Sequence, residues 1–225
     1  MGSLTSFLPS PNLRLLVVSA CTAKKACGDL DKDAQLTAED LDNPIRRKDG
    51  EKRLAGYRLP AAEMYTGTGH VLARRAVQSL RKHGYDVSHF ILSAGYGLLD
   101  EAELIVPYNV TFSGASKTWI RERGQHLRLR ERFIAVAKGH DRTILVLGRE
   151  YLEAIGLPLP ADALPPTLAY VAPSFVNRVG YRIETIPVGQ IECRQIGAYS
   201  SSAKEKRFQL DVHEALWSGG VDEST

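Results

Sequence analysis

Short unbroken apolar runs alternate along this chain with longer stretches in which apolar residues recur every three to four positions. Residues 13–18 (LRLLVV), 87–92 and 143–147 (TILVL) carry apolar side chains on both faces, as strands buried from both sides do. Pro9 and Pro11 precede the first run. Residues 168–171 and 181–188 read as later strands. Helical spacing covers 60–83, where Ala61, Met64, Val71, Leu72, Ala76 and Leu80 share one side and Gly84 suits the C-cap. A second amphipathic helix is expected over 116–138 behind Ser116 as N-cap, a short one over 150–155 and a last one over about 202–217. The polar stretch 22–57 reads as a long insertion with a short helix at 37–41. Residues 93–116 read as a loop, Pro158, Pro160, Pro165 and Pro166 mark a linker, and the tail from about 218 is expected to fray. Strands alternating with helices predict an α/β fold: one domain over 1–225, with a mostly parallel central sheet covered by helices on both faces.

Composition narrows the setting. At 225 residues, 44% apolar and 24% charged, the chain can bury a substantial core. No run approaches the roughly 18 apolar residues of a membrane span. The start MGSLTSFLPSPNLRLL lacks the features of a secretory signal. Three scattered cysteines argue against a disulfide framework, so a cytoplasmic protein is expected. The net charge of +3 mildly favours an anionic partner.

In an open α/β sheet ligands sit at the carboxyl ends of the strands, which selects three segments. After the first strand, Ser19, Cys21, Thr22 and Lys24, with Lys25 beside them, offer hydroxyls and ammonium groups for a phosphate or carboxylate. The glycine spacing of a nucleotide-binding P-loop is absent. After the second strand come Ser93, Ala94, Gly95, Tyr96 and Gly97, small residues around an aromatic hydroxyl. After the third come Gly148, Arg149, Glu150 and Tyr151. Glu63 and Tyr65 lie near Gly67 and Gly69, glycines that weaken a helix unless something must approach closely. Cys21, Cys27 and Cys193 make a poor zinc set, so no metal and no cofactor is expected. On the 116–138 helix, seven basic residues face only Glu122 and Glu131. Arg121, Arg128 and Arg132 share a stripe and, with Lys117, suit a phosphate backbone.

Taken together, Ser19-Ala20-Cys21-Thr22-x-Lys24, Pro60–Tyr65, Leu92–Leu99 and Ile105–Phe112 resemble a family of small bacterial and phage domains. More distantly they resemble the YaaA-type peroxide-stress proteins, through a shared (S/G)xYGLL…PY core. That superfamily is similar in fold to accessory domains of archaeal tRNA-guanine transglycosylases. The resemblance covers roughly 13–150 and implies a Rossmann-like or uracil-glycosylase-like three-layer sandwich in a nucleic-acid setting. Asn109 stands where the family often has an acid after Pro-Tyr, which passes any carboxylate role to Glu63, Asp100 or Glu101.

Three functions follow as expectations. The leading one is a monofunctional DNA glycosylase that excises a modified base, in phage defence or the DNA-damage response, with DNA as its partner and no obligate protein partner. Tyr65, Tyr96 or Tyr108 would stack a flipped base, Asn109 would read its edge, and Glu63 or Asp100 would supply the carboxylate. The second is a non-catalytic DNA-binding stress or defence protein. The third is an enzyme on free nucleotides that uses Lys24 and Lys25 for a phosphate.

Overall fold

The computed structural model describes residues 2–8, 12–27, 30–160, 162–180 and 182–218. Pro9, Pro11, Tyr181 and the expected frayed tail lie outside the described residues, apart from Ser218 as the last helical residue.

A six-stranded sheet organises the molecule: β1 (Arg14–Ala20), β3 (Asp86–Ser93), β4 (Gly97–Asp100), β6 (Arg142–Val146), β7 (Thr167–Val171) and β8 (Ile183–Pro187). Its order is β4-β3-β1-β6-β7-β8; only β4 runs antiparallel, and β2 (Leu59–Pro60) and β5 (Leu104–Ile105) form a separate small ladder. β1, β6 and β7 are buried on both faces, as their continuous apolar runs predict, and alternate side chains of the sheet feed two separate cores. Leu16, Val18, Ile91, Leu145 and Ala169 enter one core, while Leu15, Val17, Val87, Ile144 and Leu168 enter the other. The first is closed by α2 (Ala38–Asp42), α4 (Ala61–Met64), α6 (Lys117–His126), α7 (Leu129–Lys138) and α8 (Arg149–Ile155). The second is closed by α1 (Leu4–Phe7), α5 (Thr68–Lys82), α9 (Gln190–Gln195) and α10 (Ala203–Ser218). This is an α/β three-layer arrangement. Among the described residues no helix is long and apolar enough to cross a membrane.

Four segments depart from expectation. The polar stretch 22–57 holds α2, closed by a Thr37–Asp40 capping box, and an unanticipated α3 (Pro44–Arg53) capped by Asn43. The helix expected over 60–83 is two, because Tyr65 is extended and bridges Lys25 before α5 starts. The loop expected after Ser93 contains β4, which folds back on β3 through a tight turn with Gly97 at φ 87°. The helix expected over 116–138 breaks at Leu127–Arg128, where Arg128 adopts a left-handed φ of 51°. Arg121, Arg128 and Arg132 therefore do not form one continuous stripe.

Candidate functional site

β1 leads through α5 to β3 on one side of itself, and β6 leads through α8 to β7 on the other. The connections diverge between β1 and β6, the topological switch point at which open α/β sheets hold their ligands. A crevice of about 450 Å³ lies there. Cys21 and Thr22 from the β1 end line it, with Gly148 to Tyr151 from the β6 end and Ala172 and Ser174 after β7. Ser113 adds a hydroxyl, Gly69 comes from the start of α5, and Ser200, Ser201, Lys204 and Glu205 come from the entry to α10.

Glu205 is the group that sequence reasoning missed. Its residue is 6% exposed, and its Oε2 is buried without a hydrogen-bond partner. Burial raises its pKa, against the opposing pull of Lys204 and of its own backbone N–H. Gly69 makes room for it: a Cβ there would stand 3.3 Å from the Glu205 carboxyl carbon. Gly67 likewise admits Thr22, whose Oγ1 accepts the Gly67 N–H at 3.2 Å. The close approaches anticipated at these two glycines exist, and the protein's own side chains make them. A second carboxyl in the crevice, Glu150, is ion-paired with Arg149 at 3.3 Å.

Cys21 separates the crevice from a buried hydroxyl network. Its Sγ lies 3.3 Å from the Tyr151 hydroxyl, which donates to the Cys21 carbonyl at 3.1 Å. Ser93 Oγ accepts from the N–H groups of Gly95 and Tyr96 at 3.1 and 3.0 Å. With its lone pairs so used, the Ser93 hydroxyl donates to Tyr108 at 2.7 Å, and Tyr108 donates to Tyr65 at 2.8 Å. Burial, then the nearby Cys21 sulfur, pushes the pKa of both Tyr65 and Tyr108 far up, so these hydroxyls stay protonated. Lys25 Nζ sits 4.2 Å from the Tyr108 ring centroid, and burial lowers its pKa despite Cys21 and Cys27 nearby.

The expected stacking platform is not open. Tyr65, Tyr96 and Tyr108 are buried, Tyr108 is edge-on to the other two, and Lys25 and Arg47 cover faces of Tyr108 and Tyr96. Gly95 is small because a Cβ would fall 2.6 Å from the Tyr108 ring, not to admit a ligand. Ser19 is also committed. Its hydroxyl meets His89 Nε2 at 2.9 Å, and His89 Nδ1 meets Glu101 Oε2 at 3.0 Å. This serine–histidine–glutamate line is fully buried at Ser19 and His89 and serves as internal support. Cys21 and Thr22 reach the crevice, whereas Lys24 is solvent-exposed.

Glu63, Asp100 and Asn109 are exposed and do not line the crevice. Asp100 accepts from the Ala102 N–H at 2.8 Å and stabilises a turn. Of the expected phosphate contacts, Arg121 pairs with Glu153 at 3.0 Å and Arg132 donates to the Leu98 carbonyl at 2.9 Å. Lys117 and Arg128 remain exposed. Among the described residues no group of three or more His, Cys, Asp and Glu side chains is arranged to hold a metal ion.

A family model described as a family of unknown function, DUF6884, matches residues 50–165. That segment contains Tyr65, the Ser93–Tyr108 network and Arg149 to Tyr151, while Cys21, Lys204 and Glu205 lie outside it. No curated protein matches the chain.

Proposed function

Because the chain belongs to the DUF6884 family, whose function is unknown, its activity has to be argued from the crevice, and we propose an enzyme that hydrolyses the N-glycosidic bond of one nucleotide unit seated there. The observation that carries this reading is the buried, unpartnered carboxyl of Glu205 inside a polar crevice at the switch point. Burial keeps that carboxyl protonated to higher pH than an ordinary glutamic acid, the state a general acid needs. Glu205 gives its proton to the leaving base nitrogen as the bond from C1′ to nitrogen breaks. The resulting carboxylate stabilises the oxocarbenium-like sugar. Water then adds to C1′ and returns a proton to Glu205. Glu150, held by Arg149, is the second carboxyl available to orient that water. The carboxylate role assigned by sequence to Glu63 or Asp100 moves to Glu205, since those two are exposed and outside the crevice.

The test measures free-base release by chromatography from nucleosides, nucleoside monophosphates and DNA duplexes carrying modified bases. Glu205→Gln is expected to lower kcat about 10²- to 10⁴-fold, the usual worth of a general acid. Glu63→Gln and Asp100→Asn are expected to leave it unchanged. Base release from none of the substrates, or full activity in Glu205→Gln, would sink this reading.

A further inference from the structure

Beside its two carboxyls, Glu150 and Glu205, the crevice presents two cations, Arg149, which pairs with Glu150, and Lys204. α5 is 15 residues long and starts behind Gly67 with no side-chain hydrogen bond to its first turn, whose positive end lies beside the Glu205 carboxyl. Gly69, in that turn, forms part of the crevice wall. The Lys204 side chain, from the α10 side of the crevice, makes no ion pair or hydrogen bond among the described residues. Thr22, Ser113, Ser174, Ser200 and Ser201 add hydroxyls. The Glu205 Oε2, buried in the same crevice without a hydrogen-bond partner among the described residues, would be satisfied by a polar atom of a bound ligand.

Resting on the hydrolase reading, we propose that the crevice binds a terminal phosphate through the start of α5 and Lys204, so that the substrate is a free nucleoside 5′-monophosphate. A phosphate monoester carries about 1.5 to 2 negative charges at neutral pH, against one for each linkage of a strand. The fate of the basic segment favours the monoester as well. Four of its seven cations are committed internally: Arg121 to Glu153, Arg123 to Asp42, Arg130 to the Gly156 carbonyl and Arg132 to the Leu98 carbonyl. The continuous stripe that would track a strand leading to the crevice is broken at Arg128.

The experiment titrates the full chain by calorimetry with the four common deoxynucleoside 5′-monophosphates, the matching nucleosides, 2-deoxyribose 5-phosphate and a single-stranded oligonucleotide containing all four bases. Base release is measured in parallel. At least one monophosphate is expected to bind about 30-fold more tightly than its nucleoside, the scale of a charge-assisted contact. Lys204→Gln should remove most of that difference without changing nucleoside affinity. Equal affinity for monophosphates and nucleosides, or tighter binding of the oligonucleotide, overturns the phosphate site. Lys204-dependent monophosphate binding without base release supports the phosphate site and defeats the hydrolase. Base release with equal affinity for both forms does the reverse.

Discussion

At Ser93 two backbone N–H groups fill the acceptor sites of one hydroxyl, and this fixes the direction of every proton beyond it. Ser93 donates to Tyr108 and Tyr108 to Tyr65, so the Tyr65 proton is the uncommitted end of the relay. The two tyrosines should therefore respond differently to loss of their hydroxyls. Tyr108→Phe strands the Ser93 proton in the core and should cost about 1–3 kcal/mol. Tyr65→Phe strands the Tyr108 proton in turn, but it breaks one hydrogen bond of the relay where Tyr108→Phe breaks two, and should cost about half as much. Urea denaturation of the two variants checks the order; equal costs would mean the relay runs otherwise. At this scale the sequence was partly legible. Small residues and hydroxyls at strand ends pointed to Cys21, Thr22 and Ser93, because strand ends are where such residues converge, whereas Tyr108 entered through the Pro-Tyr pair of the resemblance. Their division between crevice and buried network depends on side-chain direction, which no spacing reveals. Glu205 was hidden for another reason: an acid in the first turn of a helix reads as a response to the helix dipole.

Helix ends were harder to read than strands. The parallel strands announce themselves because burial on both faces requires unbroken apolar runs. β4 does not, since four residues after a tight turn are too few to show a period. α3 has no apolar stripe, and Gly50 is its one buried residue, although Asn43 and Pro44 are sound start signals. The break between α6 and α7 falls at Leu127–Arg128, residue types that favour helix, so tertiary packing overrides propensity there. Arg128 bears the cost as a non-glycine residue with positive φ. Arg128→Gly should then leave stability unchanged or raise it by up to about 1 kcal/mol, because glycine adopts this backbone freely. A loss of about 1 kcal/mol, as glycine causes inside a continuous helix, would show that the break is absent in solution. Thermal unfolding of this variant decides between the two.

Across the whole molecule, buried titratable groups set an acid limit to stability. His70 is almost fully buried; its Nε2 meets the Ala62 carbonyl at 3.0 Å and its Nδ1 has no partner. Burial, helped by His89 and Arg74, pushes its pKa from 6.5 down to about 4. The unfolded chain thus takes up this proton first, and stability falls as pH drops from 6.5 to 4, by about 3 kcal/mol in all. Glu101 acts in the same direction at lower pH. Burial raises its pKa, but its bonds to His89 and Arg81 prevail and hold it at about 2, so its contribution is lost as pH falls from 4.5 to 2. Urea midpoints measured between pH 7.5 and pH 4 should decline in the wild type, and the decline should flatten in His70→Gln. An unchanged slope in that variant would remove His70 from the account.

β1 is the first strand of the sheet to leave the ribosome, and the strand order gives it two neighbours that come much later. Ser19 waits 70 positions for His89 on one flank, and Arg14 waits 127 for Asp141 beside β6 on the other. Parallel pairing over such distances makes folding slow, because the loop must close before any contact repays it. Through that interval the LLVV run of β1 travels with both backbone edges bare, the state in which strands pair with the wrong chain. The switch point that shapes the crevice thus also leaves β1 without its second sheet neighbour until residue 146 has been synthesised.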